Sequence, residues 1–283
     1  MGIKSVIVEL ENKKTMLLDT TDLGLSYDIL LNERKLREDY VSEYLMKELE
    51  KNQGVFFDLG ANLGYYTILL SDYFKEIICI EPVESSTKFL KNSIIMNNLS
   101  DKVRVLNVAV APIDGKLYFE DNERKNLVQV SEQEKGKEIN AYTIETICKK
   151  NKVHLLNFLK MDLEGYEYDI IVKGKESFKK FAPERIFVEI HFDILGRDKS
   201  EEILKVLEKE GYIVEMAFNE VPEMFYWLKE PFRGLYGWYA EKFLLRRKIG
   251  MIYNNAKIGD ILKDNDMMNA KIGAIEFIFS KVK

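Results

Sequence analysis

Residues 55–70 read VFFDLGANLGYYTILL. An apolar, strand-like run passes through Asp58, a loop with Gly60 and Gly64 follows, and an apolar helical pattern begins after the loop. A strand, a glycine loop and a helix in this order open the nucleotide-binding α/β folds. Glycine lets the backbone approach a ligand there, and N–H groups at the helix start point towards it. We therefore predict that this loop binds a ligand.

Acidic residues at the ends of two strands indicate the kind of ligand. Asp58 can accept hydrogen bonds from a cationic amino group. Glu81 ends the next apolar run, IICIE, 21 residues after Gly60 (81 minus 60), near the offset of about 20 residues at which an acid meets ribose hydroxyls. These residues favour a nucleoside ligand that carries an amino acid. The rival ligand is a nicotinamide cofactor, which the GxxxG spacing disfavours, and the plainer alternative is an ordinary turn.

Apolar runs alternate with helical stretches over most of the chain. From residue 53 onward the runs are VFFDLG, IICIE, VRVLNVAV, LLNFLKMD, RIFVEI and YIVEMAF. Near-continuous apolar strands are typical of a parallel sheet that is covered on both faces. We predict an α/β, Rossmann-like fold with a mainly parallel twisted sheet, helices on both faces, and AIEFIFSK as an antiparallel closing strand.

Composition argues against several classes of protein. The net charge is -5 and the pI is about 5.4, so no overall positive field attracts a nucleic-acid backbone. Cys79 and Cys148 form no CxxC pattern, which disfavours a disulfide framework or a thiolate zinc site. The N-terminus lacks a signal-peptide pattern, and no run reaches the ~18 apolar residues of a membrane span. We expect a cytoplasmic protein without a nucleic-acid partner.

Five motifs, in order along the chain, resemble the FkbM family of methyltransferases. They are DLGANLGYYT, IEP, LNVAV, LKMDLEGYE and FVEIHF. The resemblance is nearly complete over residues 55–192 and fades in the first fifty residues and over about 219–268. It implies a class I methyltransferase fold with S-adenosylmethionine as the cofactor. Substrate choice is expected to depend on the two segments where the resemblance fades.

The resemblance also implies which residues contact the cofactor. The glycine loop binds S-adenosylmethionine, and the acid of IEP holds its ribose. The implied cofactor-binding residues are Asp58, Gly60, Ala61, Asn62, Gly64, Glu81 and Pro82. Asn107 and Ala109 are further candidates, because the third strand of the family's fold flanks the adenine.

Four polar residues follow the fourth and fifth strands, where ligands bind in open α/β sheets. These catalytic candidates are Asp162, His191, Glu189 and Glu164. Methyl transfer to a hydroxyl requires orientation of the reactants and a group that takes the hydroxyl proton. Asp162 is the first candidate for that group. The alternatives are that Asp162 binds polar groups of the cofactor, Glu164 is the first-turn acid of a helix, and His191 is a hydrogen-bonded structural residue.

The same polar residues raise the question of a metal ion. Three carboxylates and a histidine could hold Mg²⁺, which prefers oxygen ligands and would polarise an acceptor hydroxyl. The sequence contains no closely spaced ligand pattern, however. We therefore predict catalysis without a metal site and keep a magnesium ion as the alternative.

The chain divides into two predicted parts. Residues 1–52 form an accessory segment with a strand pair and helices, and residues 53–283 form the methyltransferase domain. An insertion at about 219–268 concentrates aromatic residues next to two arginines: Phe225, Tyr226, Trp227, Phe232, Tyr236, Trp238, Tyr239, Phe243, Arg246 and Arg247. Three interpretations compete for it: a helical hairpin that packs on the sheet, a substrate lid, or peripheral membrane contact through residues 222–248.

The acceptor is inferred by elimination. Enzymes that methylate amino groups of nucleobases often carry a DPPY-like or NPPY-like run after the fourth strand, whereas this chain reads MDLEG there. We therefore favour an oxygen acceptor, and the family resemblance implies a sugar, a glycan or a secondary metabolite. The alternatives are an RNA methyltransferase, which the acidic composition disfavours, and an inert binding module that keeps the cofactor fold.

Overall fold

The computed structural model describes residues 5–22, 24–51, 53–119, 130–131, 136–219, 250–264, 268 and 273–282. The chain forms two compact units. The first consists of Met1–Val188 with Lys283, and the second is Glu189–Val282. No helix in the described part of the chain is long and apolar enough to cross a membrane.

The first unit begins with a hairpin and two helices. Strands β1 (Ser5–Glu9) and β2 (Thr15–Asp19) pair antiparallel, and helices α1 (Leu25–Leu31) and α2 (Asp39–Glu48) follow. Asn97 joins the hairpin to the rest of the unit, because its Oδ1 accepts from the backbone N–H of β2 at 2.9 Å and its Nδ2 donates to the same residue's carbonyl. The first segment is thereby fixed to the sheet-forming part of the unit.

A parallel sheet forms the centre of the first unit. Its strands are β3 (Gln53–Leu59), β4 (Phe74–Ile80), β5 (Val103–Leu106), β10 (Phe158–Met161) and β11 (Arg185–His191). Within this unit they lie in the order β5-β4-β3-β10-β11, and each adjacent pair is parallel. Strand order reverses direction between β3 and β10, and ligands of open α/β sheets bind at the carboxyl ends of the strands at such a point. The predicted Rossmann-like fold is confirmed.

Helices cover both faces of the sheet, as predicted. Those of the first unit are α3 (Tyr65–Leu69), α4 (Glu84–Met96), α5 (Ile144–Lys150), a π-helical turn (Asp169–Lys173) and α6 (Lys175–Lys180). Three phenylalanine rings fill the core beneath β3, β4 and β10, with centroids 5.1 to 5.4 Å apart: Phe56, Phe74 and Phe158. All three side chains are fully buried, and aromatic side chains of this size dominate core energetics.

A second, smaller sheet lies between β5 and α5 in the sequence. Its strands are β6 (Ala109–Val110), β7 (Gly115–Phe119), β8 (Val130–Ser131) and β9 (Lys137–Tyr142), in the order β6-β9-β7-β8. β7 pairs antiparallel with β8 and β9, whereas β6 and β9 are parallel.

The second unit contains the end of β11 and four further elements. These are α7 (Phe192–Lys209), β12 (Tyr212–Asn219), β13 (Gly250–Ala256), α8 (Ile258–Ile261) and β14 (Ala274–Lys281). β14 pairs antiparallel with β12, which confirms AIEFIFSK as the antiparallel closing strand. The aromatic residues of the predicted insertion, together with Arg246 and Arg247, lie outside the described residues.

Candidate active site

Gly60 and Gly64 shape the loop after β3. Both have left-handed backbone angles, with φ of +71° and +92°, which residues with a Cβ rarely adopt. A Cβ on Gly60 would lie 2.0 Å from the carbonyl oxygen of Asp162, and a Cβ on Gly64 would lie 2.2 Å from Cδ1 of Leu90. Contacts within the protein therefore require glycine at both positions, whether or not a ligand is bound.

The backbone N–H groups of the loop bind protein acceptors. Gly60 and Ala61 donate to the carbonyl oxygen of Ile80, at 3.0 and 3.2 Å. Asn62 N donates to Oε2 of Glu81 at 2.8 Å and adopts a left-handed φ of 50°. The sequence pattern directs such N–H groups at a ligand, but in this structure they attach the loop to the end of β4. The loop is therefore held in place before any ligand arrives.

Glu81 follows β4, and its side chain is almost completely buried. Oε2 accepts from Asn62 N, and Oε1 accepts from Val83 N at 2.7 Å. Burial raises the pKa of Glu81 to about 7, although the two N–H donors oppose the shift. The carboxyl group thus lies against the glycine loop and titrates near neutral pH.

The candidates near the adenine lie after β4 and β5. Asn107 Nδ2 donates to the carbonyl oxygens of Glu81 and Pro82, at 2.9 Å each. Ala109 is buried in β6, in an apolar cluster that includes Val83. Asn107 therefore fixes the backbone that follows Glu81, a role that the sequence pattern did not indicate.

A buried lysine joins the ends of β3 and β10. Lys160 lies opposite Asp58 in the strand register, and only 3% of it is exposed. Its Nζ donates to the carbonyl oxygen of Gly60 at 2.9 Å and lies 3.7 Å from Asp58 Oδ1 and 3.6 Å from Asp162 Oδ2. One ammonium group thus contacts the glycine loop and both strand-end carboxylates.

Lys160 is a residue that sequence reasoning missed. Burial disfavours its charged form, but Asp162 and Asp58 outweigh that effect and raise the pKa of Lys160. A signal was present in the sequence, because LLNFLKMD places a lysine inside a strand predicted to be covered on both faces. A lysine in such a place is almost never fully buried without a partner, so it predicts a carboxylate beside it.

Asp58 has one oxygen in a hydrogen bond and one without. Thr67 Oγ1 donates to Oδ2 at 2.6 Å. Within the described part of the chain, Oδ1 is buried and accepts no hydrogen bond, and it is the oxygen 3.7 Å from Lys160 Nζ. Burial raises the pKa of Asp58, whereas Lys160 and Thr67 act in the opposite direction. A buried acceptor that lacks a donor costs free energy, so a donor from a ligand would stabilise it.

The segment before α2 brings two more charges to this cluster. Arg37 Nη1 lies 3.7 Å from Asp162 Oδ2, and Arg37 Nε lies 2.8 Å from Glu38 Oε1. The hydroxyl of Tyr66 donates to Glu38, and the backbone N–H of Arg37 donates to the hydroxyl of Tyr65 at 2.9 Å. Sequence reasoning missed both charged residues, because they lie in a segment that resembles no known motif.

The loop after β10 carries Asp162 and Glu164. Glu164 has a left-handed φ of 51° and precedes the helical residues, so it is not the first-turn acid of a helix. The backbone N–H groups of Leu163 and Gly165 donate to Oε1 of the buried Glu167, at 2.8 and 3.3 Å. Glu167 therefore supports the loop that presents Asp162.

Glu189 and His191 belong to the second unit. His191 is buried at the end of β11, and its Nε2 lies 3.8 Å from Oε1 of Glu189. The two side chains, both named as catalytic candidates, are thus neighbours of each other. Their catalytic role stays a prediction.

The parallel sheet, the glycine loop after its first central strand and the acid after the next one define a Rossmann-like nucleotide-binding protein. The model of the methyltransferase FkbM domain matches residues 58–214, which are 157 of the 283 residues (214 minus 58 plus 1). The chain therefore belongs to the FkbM methyltransferase family and is an S-adenosylmethionine-dependent methyltransferase. No curated protein matches the chain.

Solved structures with similar folds include three methyltransferase relatives. TYW2 of M. jannaschii, in complex with AdoMet, is 13% identical with a TM-score of 0.45, and the match covers 100% of this chain and 89% of that one. The tRNA m1G37 methyltransferase of M. jannaschii is 12% identical with a TM-score of 0.47, covering 100% and 56%. Methyltransferase FkbM from Methylobacillus flagellatus KT is 15% identical with a TM-score of 0.40, covering 72% and 52%. None of these similarities identifies the acceptor.

Proposed function

We propose that this methyltransferase transfers a methyl group to a hydroxyl oxygen of a sugar, a glycan or a secondary metabolite. The observation that supports the proposal is the charge cluster at the ends of β3 and β10. It contains Asp58 with an unpartnered oxygen, the buried Lys160, and Asp162, whose side chain is 12% exposed. One carboxylate is thus placed to hold a cationic ligand group and the other to meet an acceptor.

The residues fit S-adenosylmethionine at both of its ends. Asp58 Oδ1 is a buried acceptor without a donor in the described part of the chain, which suits the ammonium group of the cofactor. The Glu81 carboxylate, at the end of the next strand, suits the ribose hydroxyls. Asn107 and Ala109 stay candidates beside the adenine, with Val83 supplying apolar surface next to Glu81. Gly60, Ala61, Asn62, Gly64 and Pro82 form the backbone around these groups.

When bound, the cofactor supplies an electrophilic methyl group on a sulfonium. The protein must orient the acceptor hydroxyl and remove its proton. Asp162 accepts that proton, and the nearby Lys160 and Arg37 stabilise its negative charge. A carboxylate held ionised is a weak base, but it suffices here, because an oxygen that gains a methyl group becomes positively charged and releases its proton readily. His191, Glu189 and Glu164 are the further candidates for this role.

An oxygen acceptor is supported by the MDLEG run after β10, which replaces the DPPY-like or NPPY-like run of enzymes that methylate nucleobase amino groups. Membership of the FkbM family agrees with a sugar or natural-product hydroxyl. The experiment is transfer of a labelled methyl group to fractionated glycans, small metabolites, RNA and protein. Label in a hydroxyl of the first two classes supports the proposal, and label confined to RNA or protein overturns it.

Asp162→Asn tests the assigned base. Because asparagine cannot accept the hydroxyl proton, we expect the turnover rate to fall by roughly 10²-fold or more while cofactor affinity changes little. The measurement is the single-turnover rate with labelled cofactor, together with calorimetric cofactor affinity. Asp72→Asn is the matched control, since Asp72 forms a surface ion pair with Lys14. An Asp162→Asn enzyme with full rate and unchanged affinity removes the assigned role.

A further inference from the structure

The charge of the cofactor poses a requirement that the cofactor-binding residues named so far do not meet. S-adenosylmethionine carries an ammonium group and a carboxylate on the same carbon atom. Asp58 and Asp162 suit the ammonium but repel the carboxylate, which needs a cation or several N–H donors. The N–H groups of Gly60, Ala61 and Asn62 already donate to protein acceptors. The carboxylate therefore calls for a cation near Asp58 and Asp162.

Among the described residues, two cations contact these carboxylates. Lys160 is the less suitable, because its side chain is only 4% exposed. Its ammonium group donates to Gly60 O and lies between Asp58 and Asp162, so it already compensates two negative charges. A further anion could reach it only by displacing one of these partners.

Arg37 is the accessible cation. Its side chain is 21% exposed, and its Nη1 lies 3.7 Å from Asp162 Oδ2, beyond hydrogen-bond distance. The guanidinium has five donors in a planar fork that matches a carboxylate, so Nε can stay on Glu38 while the terminal nitrogens bind an anion. Arg37 thus has both the reach and the geometry for a carboxylate ligand.

The backbone of Arg37 is fixed to the cofactor helix. Its N–H donates to the hydroxyl of Tyr65 at 2.9 Å, and its carbonyl accepts from Ser42 Oγ at 2.7 Å. Tyr65 directly follows Gly64 and begins α3. The residue that ends the glycine loop is therefore bonded, through one side chain, to the position that presents the guanidinium.

We infer that Arg37 binds the carboxylate of S-adenosylmethionine, so that the N-terminal segment completes the cofactor site. The inference rests on the proposed position of the cofactor beside Asp58 and Glu81. It assigns a binding role to a segment that the family model, which starts at residue 58, does not include.

The test compares two ligands that differ only in the carboxylate. Calorimetric titration of the full chain with S-adenosylmethionine and with decarboxylated S-adenosylmethionine gives the affinity ratio for wild type and for Arg37→Gln. We expect Arg37→Gln to weaken the intact cofactor by about 10- to 100-fold, as for lost charge-assisted hydrogen bonds, and the decarboxylated ligand less than about threefold. Arg37→Lys, which keeps the charge but not the fork, should fall between the two.

Arg34→Gln is the matched control. Arg34 lies three residues earlier on the surface, where it pairs with Glu11 and Glu43, and its removal should leave both affinities unchanged. Equal losses of both ligands in Arg37→Gln, or no loss of either, overturn the inference and leave the cofactor site intact. If wild type binds neither ligand, the proposed cofactor site fails as well.

Discussion

Asp58 and Glu81 lie at the ends of neighbouring parallel strands, are both buried, and both have a raised pKa. Their partners differ. The Glu81 oxygens accept from two backbone N–H groups, whereas Asp58 has a cation 3.7 Å away and an oxygen that no described residue binds. Equivalent places in a sheet can thus be prepared for different ligand groups. Asp58 suits a charged amino group, and Glu81 suits neutral hydroxyls.

The largest expected effect comes from removing the cation of this comparison. Lys160→Met leaves Asp58 and Asp162 without their buried partner, so we expect the free energy of unfolding to fall by about 3–5 kcal/mol. Both carboxylates would then have a raised folded-state pKa, and their ionisation would oppose folding. The deficit should therefore be small near pH 4 and grow towards pH 7, within roughly that window.

Urea denaturation at several pH values measures this deficit. Lys75→Met is the matched control, because Lys75 is an exposed lysine on β4. A deficit of the same size at every pH would show that lost packing, and not lost charge, explains the Lys160 variant.

An effect of intermediate size is expected from Asp58→Asn. Asparagine removes the negative charge that faces the ligand ammonium, so affinity for S-adenosylmethionine should fall by about 10- to 100-fold. Affinity for 5′-methylthioadenosine, which has the nucleoside but no amino-acid end, should not change. Calorimetry with both ligands makes the measurement. Equal weakening of the two would contradict the assignment of Asp58 to the amino group.

The smallest effect is expected from Glu81→Gln, and it should be of another kind. Glutamine still accepts one hydrogen bond, so both ligands should weaken by only about 3- to 10-fold. Ribose hydroxyls donate best to the ionised carboxylate, and the pKa of Glu81 is about 7. Wild-type affinity should therefore rise between about pH 6 and pH 8, and this rise should be smaller in the variant.

The matched control for Glu81→Gln is Glu84→Gln, which alters an exposed glutamate paired with Lys88 and Lys137. Because the cofactor's own amino group titrates in a similar range, 5′-methylthioadenosine is the decisive ligand. Identical pH profiles of wild type and Glu81→Gln with that ligand would remove Glu81 from the ribose site.

Several parts of the molecule could be predicted because they depend on neighbours in sequence. The run from β3 through the glycine loop to α3, and the offset of Glu81, follow from local patterning and from the geometry of one strand–loop–helix unit. The closing strand β14 was also predictable, since a buried strand needs a continuous apolar run. For the glycines the sequence indicated the position but not the reason. Contacts with Asp162 and Leu90 supply the reason.

The amino-acid sequence by itself determined the parallel sheet, the glycine loop and the two acids at its strand ends, because these are encoded within short segments. Only the tertiary structure brought Arg37 and Lys160, 123 residues apart (160 minus 37), to the same carboxylate. It also decided that the N–H groups of the loop donate to the protein and that Asp58 keeps an oxygen without a hydrogen bond in the described part of the chain. The physical reason is that charge pairing and burial depend on which distant segments meet, and no local periodicity encodes that.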